Sequence, residues 1–176
     1  MAFSVSEFNT KFLDEGFVRQ SNFEVEITGL PGYPQSTVHR VDSIEIPGRT
    51  ILTVDDYSPH GYGPKFKIPY DTIFQPITMT LYDTKDMSLW KAFKQWQESA
   101  VTLNPGEGLK ISYYDDFIQN VGVTIRIFPD DSQDKILEIT LIDPFPNLVS
   151  PLNFTWGSDE FSKLTVQLQY LNFEVK

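Results

Sequence analysis

The chain has 176 residues, a formal net charge of −10 and no cysteine. That excludes a disulfide framework and a thiolate metal site, and it argues against a phosphate grip on nucleic acid, which needs clustered Lys and Arg. The length fits one domain, residues 1–176, with a sizeable core.

The 14 Phe and 8 Tyr suit sheets and packed interfaces. The first residues lack the basic and apolar regions of a secretory signal, so none is expected. No run approaches the roughly 18 apolar residues of a membrane span, so no membrane partner is expected either. The sequon Asn153-Phe154-Thr155 is read as chance on the same ground.

Residues 1–20 are predicted to form an arm or short helix in which Phe3, Phe8, Phe12 and Phe17 are spaced through a polar background. Strict alternation over residues 22–30 predicts a half-buried strand, with Phe23, Val25 and Ile27 on one face. Pro31-Gly32-Tyr33-Pro34 is a turn. Strand character resumes over 37–46, breaks at Pro47-Gly48 and resumes over 49–55. Residues 57–64 are rich in Gly, Pro and Tyr, so 47–64 as a whole is expected to form an extended, loop-bearing region. Short strands are predicted at 65–69 and 76–82.

A helix is predicted over 84–101. Leu89, Trp90, Phe93, Trp96 and Ala100 recur at three- and four-residue steps, which gathers them on one face. Lys91, Lys94, Gln95 and Glu98 take the other face. Thr84 or Asp86 is expected to cap its start, and Pro105 with two glycines to close its end. A face with two tryptophans must bury against something broad and apolar, most simply a sheet. Leu89, Trp90, Phe93 and Trp96 are thus the expected core of the helix.

Strands are predicted at 109–114, 121–128 and 135–143, the last two forming a hairpin across the polar turn 130–134. Residues 143–151, with three prolines, are read as a loop. In the final strand, 163–175, Val166, Leu168 and Tyr170 alternate, and then Leu171, Phe173 and Val175 continue out of phase. That shift predicts a bulge, or a strand that leaves one sheet for another surface. About eight strands and one helix result. The predicted fold is mainly β: two packed antiparallel sheets forming a small barrel or sandwich with one flanking helix.

The chain carries little that reads as chemistry. His39 and His60 lack metal-ligand spacing. Gly61-Tyr62-Gly63-Pro64 lacks the third glycine and the helix of a dinucleotide loop. Asp130, Ser132 and Asp134 begin like a calcium loop, but Lys135 and Leu141 stand where glycine and the bidentate Glu are needed. No serine sits in a nucleophile elbow. Asp55-Asp56 and Asp115-Asp116 could form a distant catalytic pair of carboxylates, but they read as solvated strand ends. No enzyme activity and no cofactor are expected.

The order of segments resembles the tail tube proteins of contractile-tailed bacteriophages of the T-even type, with relatives in contractile injection systems. Four stretches carry the resemblance. They are Gly16-Phe17-Val18-Arg19 leading into Phe23-Glu24-Val25-Glu26-Ile27; Ser43-Ile44-Glu45-Ile46-Pro47-Gly48; Ile77-Thr78-Met79-Thr80-Leu81-Tyr82-Asp83 running into the helix with Phe93, Trp96 and Gln97; and Leu141-Ile142-Asp143-Pro144-Phe145-Pro146 followed by Trp156 and the last strand. Together they span nearly the whole chain, and their order and spacing carry more than any one of them.

The resemblance implies a non-enzymatic virion protein whose copies form hexameric rings with joined inner sheets. The rings would stack into a tube inside a contractile sheath protein, between a baseplate tube initiator and a tail terminator. Genome DNA would pass through the lumen without specific binding, and an acidic lumen would suit that passage. The expected location is the virion tail, after assembly in the host cytoplasm. The stretches matching the family's contacts make Phe12, Phe17, Arg19, Pro47, Gly48, His60, Gly61, Tyr62 and Gly63 the candidate oligomer-interface residues. Two alternatives stay open: a baseplate initiator or tail-end protein of the same fold, and a carbohydrate-binding β-sandwich using Trp156 as a stacking platform.

Overall fold

The computed structural model describes residues 18–33, 37–56, 65–104, 106, 108–118, 121–129, 134–157 and 159–176. Among these, the chain forms twelve strands and two helices. One four-stranded antiparallel sheet has the order β1 (Phe23–Thr28), β8 (Gly122–Ile127), β9 (Leu137–Ile142), β12 (Asn172–Val175). A second has the order β10 (Phe145–Val149), β11 (Lys163–Gln169), β5 (Ile77–Tyr82), β2 (Val41–Ile44). Two two-stranded ribbons complete the set: β3 (Arg49–Asp56) with β4 (Phe66–Phe74), and β6 (Val101–Asn104) with β7 (Gly108–Ile111). The main helix, α1, is Ser88–Ala100, and a short helix, α2, is Tyr114–Ile118.

The two large sheets pack as a sandwich and do not close into a barrel. Period-two alternation decides what lies between them. Val25, Ile27, Val123, Ile125, Ile139 and Leu141 come from the first sheet, and Ile77, Met79, Leu81, Leu164, Val166 and Leu168 from the second. All are essentially excluded from water.

Helix α1 adds Leu89, Ala92, Phe93 and Trp96 to this core. Trp96 is 1% exposed, and its indole Nε1 donates to the Phe117 carbonyl at 3.1 Å, so the polar tip of the ring is satisfied. Trp90 sits at the rim, partly buried, with the Lys94 ammonium 5.5 Å from its ring centre.

Several predicted boundaries move. The helix begins at Ser88, and Asp86 does not cap it. Asp83 Oδ1 accepts from the Leu89 N–H at 3.3 Å and Thr84 Oγ1 from the Ser88 N–H at 2.9 Å, so caps come from two residues ahead of the turn. The helix ends at Ala100, one residue before the predicted end at 101, because Val101 is already extended and paired in β6. The predicted strand over 37–46 shrinks to Val41–Ile44, since 38–40 form a turn. The 65–69 strand lengthens to nine residues. The 109–114 strand ends at Ile111, and Tyr114 instead opens a short helix to Ile118, with Asp115 and Asp116 in the first turn, where the helix dipole favours acids.

Residues 145–149, read as loop on account of their prolines, form edge strand β10. A proline is tolerated there because its missing N–H costs no ladder bond on the open side. The phase change near Tyr170 is a strand leaving one sheet for another: β11 belongs to the second sheet and β12 to the first.

Replacing Trp96 by Ala is expected to cost roughly 3–5 kcal/mol, the range for deleting a large buried aromatic. Urea unfolding of the purified variant checks it, and a loss under about 1 kcal/mol would contradict the buried placement.

Candidate assembly surface

The β3–β4 ribbon is made by local sequence. Alternating β-branched and aromatic residues on both sides favour extended chain. Among the described residues its strands pair only with each other, from Arg49↔Phe74 to Asp56↔Phe66, with a bulge between Leu52 and Thr53. At its base Phe74 packs against Tyr170 and Phe173, ring centres 6.0 and 5.8 Å away. The Tyr170 hydroxyl donates to the Gln75 carbonyl at 2.8 Å, which pins the base to the sandwich.

Beyond the base, Phe66, Ile68 and Tyr70 share one face of β4, with Val54 paired to Ile68. All four are exposed, Phe66 and Tyr70 by about two thirds. The other face carries Asp55 paired with Lys67. A two-stranded ribbon with one apolar face and no sheet beneath it is marginal in water by itself.

The β6–β7 ribbon repeats the pattern. Val101 pairs with Ile111 and Leu103 with Leu109, and all four side chains are exposed on one face. A third exposed apolar group sits on the loop between β10 and β11, where Phe154, Phe161 and Trp156 stand out, with Trp156 fully exposed next to Gly157 at φ +91°. Contiguous apolar surface on this scale marks contact with other molecules.

The sheet edges differ in a way that bears on assembly. At β10, Pro146 offers no N–H, and Gln97 of α1 donates its Nε2 to the Pro146 and Asn147 carbonyls at 3.3 and 3.5 Å. Helix α1 therefore closes that edge. At β2 the strand is four residues long and bulged between Val41 and Ser43, another way an edge is blunted. At β1, buried Thr37 accepts from the Ile27 N–H at 2.8 Å and donates to the Val25 carbonyl at 3.4 Å, sealing the C-terminal half. The alternation of the β1–β8 ladder turns Phe23 and the Val25 N–H to the open side. At β12 the same alternation turns the backbone groups of Phe173 and Val175 outward, with the Phe173 N–H donating to Asn172 Oδ1 at 2.8 Å.

The solvent faces of the two sheets also differ. Glu24, Glu26, Glu138 and Glu174 project from the first sheet, with Arg126 among them. Arg126 bonds Glu26 at 2.7 Å and Glu138 at 3.1 Å, and Lys135 bonds Glu138 at 2.8 Å. The hydrogen bonds to Glu26 and then Glu138 raise the guanidinium pKa further, and those from Lys135 and then Arg126 lower that of the Glu138 carboxyl. The second sheet shows Thr78, Thr80, Thr165, Gln167 and Gln169, uncharged apart from one cluster. In that cluster Lys163 and the Tyr82 hydroxyl both donate to Asp42, at 2.7 and 2.8 Å, and lower its pKa in that order.

Of the predicted interface residues, Phe12, Phe17, His60, Gly61, Tyr62 and Gly63 lie outside the described residues. Arg19 is exposed beside the N-terminal end of β1, while Pro47 is buried and Gly48 exposed where the chain enters the β3–β4 ribbon. Arg19 and Ile46, the neighbour of Pro47, line one groove on the flank of the sandwich, and Gly48 leads into the β3–β4 ribbon. Missed in the sequence were the apolar faces Phe66-Ile68-Tyr70 and Val101-Leu103/Leu109-Ile111. The second had a readable signal, two short β-branched runs around Pro105 and Gly106. His39 is exposed in a turn, and no group of three His, Asp or Glu side chains that could hold a metal occurs among the described residues.

An antiparallel sandwich with one main helix and projecting ribbons defines a fold shared with tube-forming components of contractile particles. The family model described as phage tail tube protein matches residues 18–176, and the chain belongs to that family. No curated protein matches its sequence.

Among solved structures, a chain of the anti-feeding prophage baseplate is similar at a TM-score of 0.66 and 12% identity, covering 92% of this chain and 96% of that one. A chain from the sheath-tube complex of an extracellular contractile injection system in the extended state matches at 0.61 and 13%, covering 99% of each. One from the sheath/tube terminator of that system matches at 0.59 and 14%, covering 92% and 97%. At such identities the likeness is one of fold.

The pH response of the Arg126 cluster follows from the lowered pKa of Glu138. A carboxylate held ionised in the folded state contributes stability above its unfolded pKa, near 4.5, and loses it as pH falls through the folded value. Glu138→Gln is therefore expected to lower the urea midpoint at pH 7, and the gap to the parent protein is expected to close progressively as pH falls below 4.5 and through the lowered folded value. A pH-independent gap between the two would contradict it.

Proposed function

We propose that this chain is a structural subunit of a contractile tail tube, forming hexameric rings that stack into a conduit for DNA inside a sheath. The observation that carries this reading is the exposed apolar face of the β3–β4 ribbon on a chain of the tail tube family. A projection of this kind gains its stability by lying on a second copy, in the same ring or the next, which buries the face that a lone subunit leaves wet.

The ring contact is drawn from the open edges of the first sheet. Joining β12 of one copy to the open half of β1 on the next would continue that sheet around a ring and leave no edge unpaired. Its acidic solvent face would then line the lumen, where Glu24, Glu26, Glu138 and Glu174 repel phosphate and keep DNA from adhering. The role is non-enzymatic. The exposed β6–β7 ribbon and the loop with Trp156 are left for the sheath and for ring stacking.

A baseplate or terminator ring is the second reading, favoured by likenesses to a baseplate chain and a terminator chain. The near-complete mutual coverage with the sheath-tube chain favours the main tube.

Negative-stain microscopy of the concentrated protein is expected to show rings and stacked tubes. Particles that stay monomeric at every concentration would overturn the reading, and many copies per isolated tail, against a single ring, would separate tube from terminator. The double variant Phe66→Glu/Tyr70→Glu is expected to abolish stacking while its thermal midpoint stays within a few degrees of the parent, because both side chains are exposed in the subunit.

A further inference from the structure

Strand direction alternates across the first sheet, so its two edge strands, β1 and β12, run antiparallel. In a ring that continues the sheet, β12 of one copy meets β1 of the next as an antiparallel pair. The ladders fix which backbone groups such a pair can use. The Phe128 N–H donates to the Asn22 C=O at 3.0 Å, and Glu138 and Lys176 exchange N–H to C=O bonds at 3.0 and 2.8 Å. Even-numbered residues of both edge strands therefore bond inward. Phe23, Val25 and Ile27 of β1, and Phe173 and Val175 of β12, turn their N–H and C=O groups outward.

A side chain stops each edge at one point. Thr37 Oγ1 accepts from the Ile27 N–H at 2.8 Å and donates to the Val25 C=O at 3.4 Å. Asn172 Oδ1 accepts from the Phe173 N–H at 2.8 Å. Among the described residues, this leaves the Phe23 N–H, the Phe23 C=O and the Val25 N–H open on β1 ahead of Thr37. On β12 it leaves the Val175 N–H, the Val175 C=O and the Phe173 C=O.

We propose that β12 of a second copy pairs with β1 in one register, Phe23↔Val175 and Val25↔Phe173, and that Thr37 and Asn172 are the positioning residues that select it. In this register Phe23 and Val175 exchange both of their bonds, and the Val25 N–H meets the Phe173 C=O. The two groups already satisfied, the Val25 C=O and the Phe173 N–H, fall opposite each other, so neither stop costs a ladder bond. The smallest slip that keeps like faces together is two residues. Slipped one way, the open Phe23 C=O meets the stopped Phe173 N–H. Slipped the other way, the open Val175 N–H meets the stopped Val25 C=O. The inference rests on the ring reading and adds to it the register and the residues that set it.

The same register brings Phe23, partly buried in the subunit, against the exposed Val175. On the acidic face it sets Glu174 across from Glu24, which already pairs with Arg126 on its other side. Glu24 and Glu174 then form a non-hydrogen-bonded pair with Cα atoms about 4.5 Å apart, inside the roughly 4.4–6.8 Å span of a disulfide. Within one chain they lie on opposite edges of a four-stranded sheet, about 14 Å apart, so a bridge between them must join two chains.

The absence of native cysteine makes the test direct. Glu24→Cys/Glu174→Cys, assembled under reducing conditions and then oxidised with diamide, is expected to give a ladder of covalently joined chains on a non-reducing gel. Asn22→Cys/Glu174→Cys and Glu24→Cys/Lys176→Cys report the two slipped registers. Their Cα atoms are displaced by about 7 Å along the strand, and they are expected to bridge about tenfold more slowly or less. Equal or faster bridging by either slipped pair would overturn the register, and so would rings of Glu24→Cys/Glu174→Cys that do not bridge.

Hydrogen exchange on the unsubstituted protein decides the matter if a cysteine variant does not assemble. The Phe23, Val25 and Val175 amides are expected to exchange about tenfold more slowly or less in rings than in dispersed subunits, as ladder amides do. Unchanged exchange at these amides in rings would equally sink the register. Microscopy separates the two readings: rings without this pairing overturn the register and leave the tube reading standing, whereas a protein that forms no rings overturns both.

Discussion

A two-sheet sandwich has four outer edges, and every backbone amide on them must find a partner in the chain, in water or in another molecule. This constraint organises the rest of the subunit. Helix α1 is held where it is because its apolar face completes the core and its Gln97 answers the carbonyls of β10. Thr37, a buried polar residue in a turn, exists in its place to satisfy β1. The bulge and shortness of β2 weaken it as a template. Among the described residues, what remains open is the first sheet, at β12 and at the beginning of β1, and that asymmetry is the one a head-to-tail ring would use.

Apolar surface is divided in the same spirit. The sheets and α1 hide Val25, Met79, Phe93, Trp96, Val123 and their neighbours almost completely. The ribbons and the loop with Trp156 leave Phe66, Tyr70, Leu103 and Ile111 wet. The two sets are chemically alike, so hydrophobicity alone does not say which belongs to the core. The difference lies in what stands across from each strand. β5 and β8 face another sheet at sandwich distance, whereas among the described residues β3 pairs only with β4, and β6 only with β7. This chain thus carries part of its apolar surface on strands held away from its own core.

Much of this was legible beforehand. Period-two alternation located β1, β5, β8, β9 and β11, and the three- and four-residue spacing of Leu89, Phe93 and Trp96 located α1. The phase slip at Tyr170-Leu171 announced the passage from one sheet to the other, because a one-residue slip must move side chains to a different face. What misled was local chemistry. Prolines at 144 and 146 read as loop, although at an edge they cost no ladder bond. The strand predicted over 109–114 runs too far, to Tyr114, which opens a helix packed under Trp96, whose indole bonds the Phe117 carbonyl. Of the interface candidates, most fall on residues 1–17 and 57–64, and the described ribbons added Phe66, Tyr70, Val101 and Leu109, which no single-strand pattern separates from core.

The sequence by itself determined the class of the fold, the position of the main helix and the alternating faces, because these depend on residues two to four positions apart. It determined the acidic charge and the absence of thiols by composition. Only the tertiary structure decided which strands share a sheet, which edges are closed, that the acidic row and the Thr/Gln row lie on different sheets, and where the flank opens beside Val18. Those depend on contacts between residues as far apart as Glu26 and Arg126 or Gln97 and Pro146. No local pattern encodes such pairings; they are chosen when the whole chain buries its apolar faces at once.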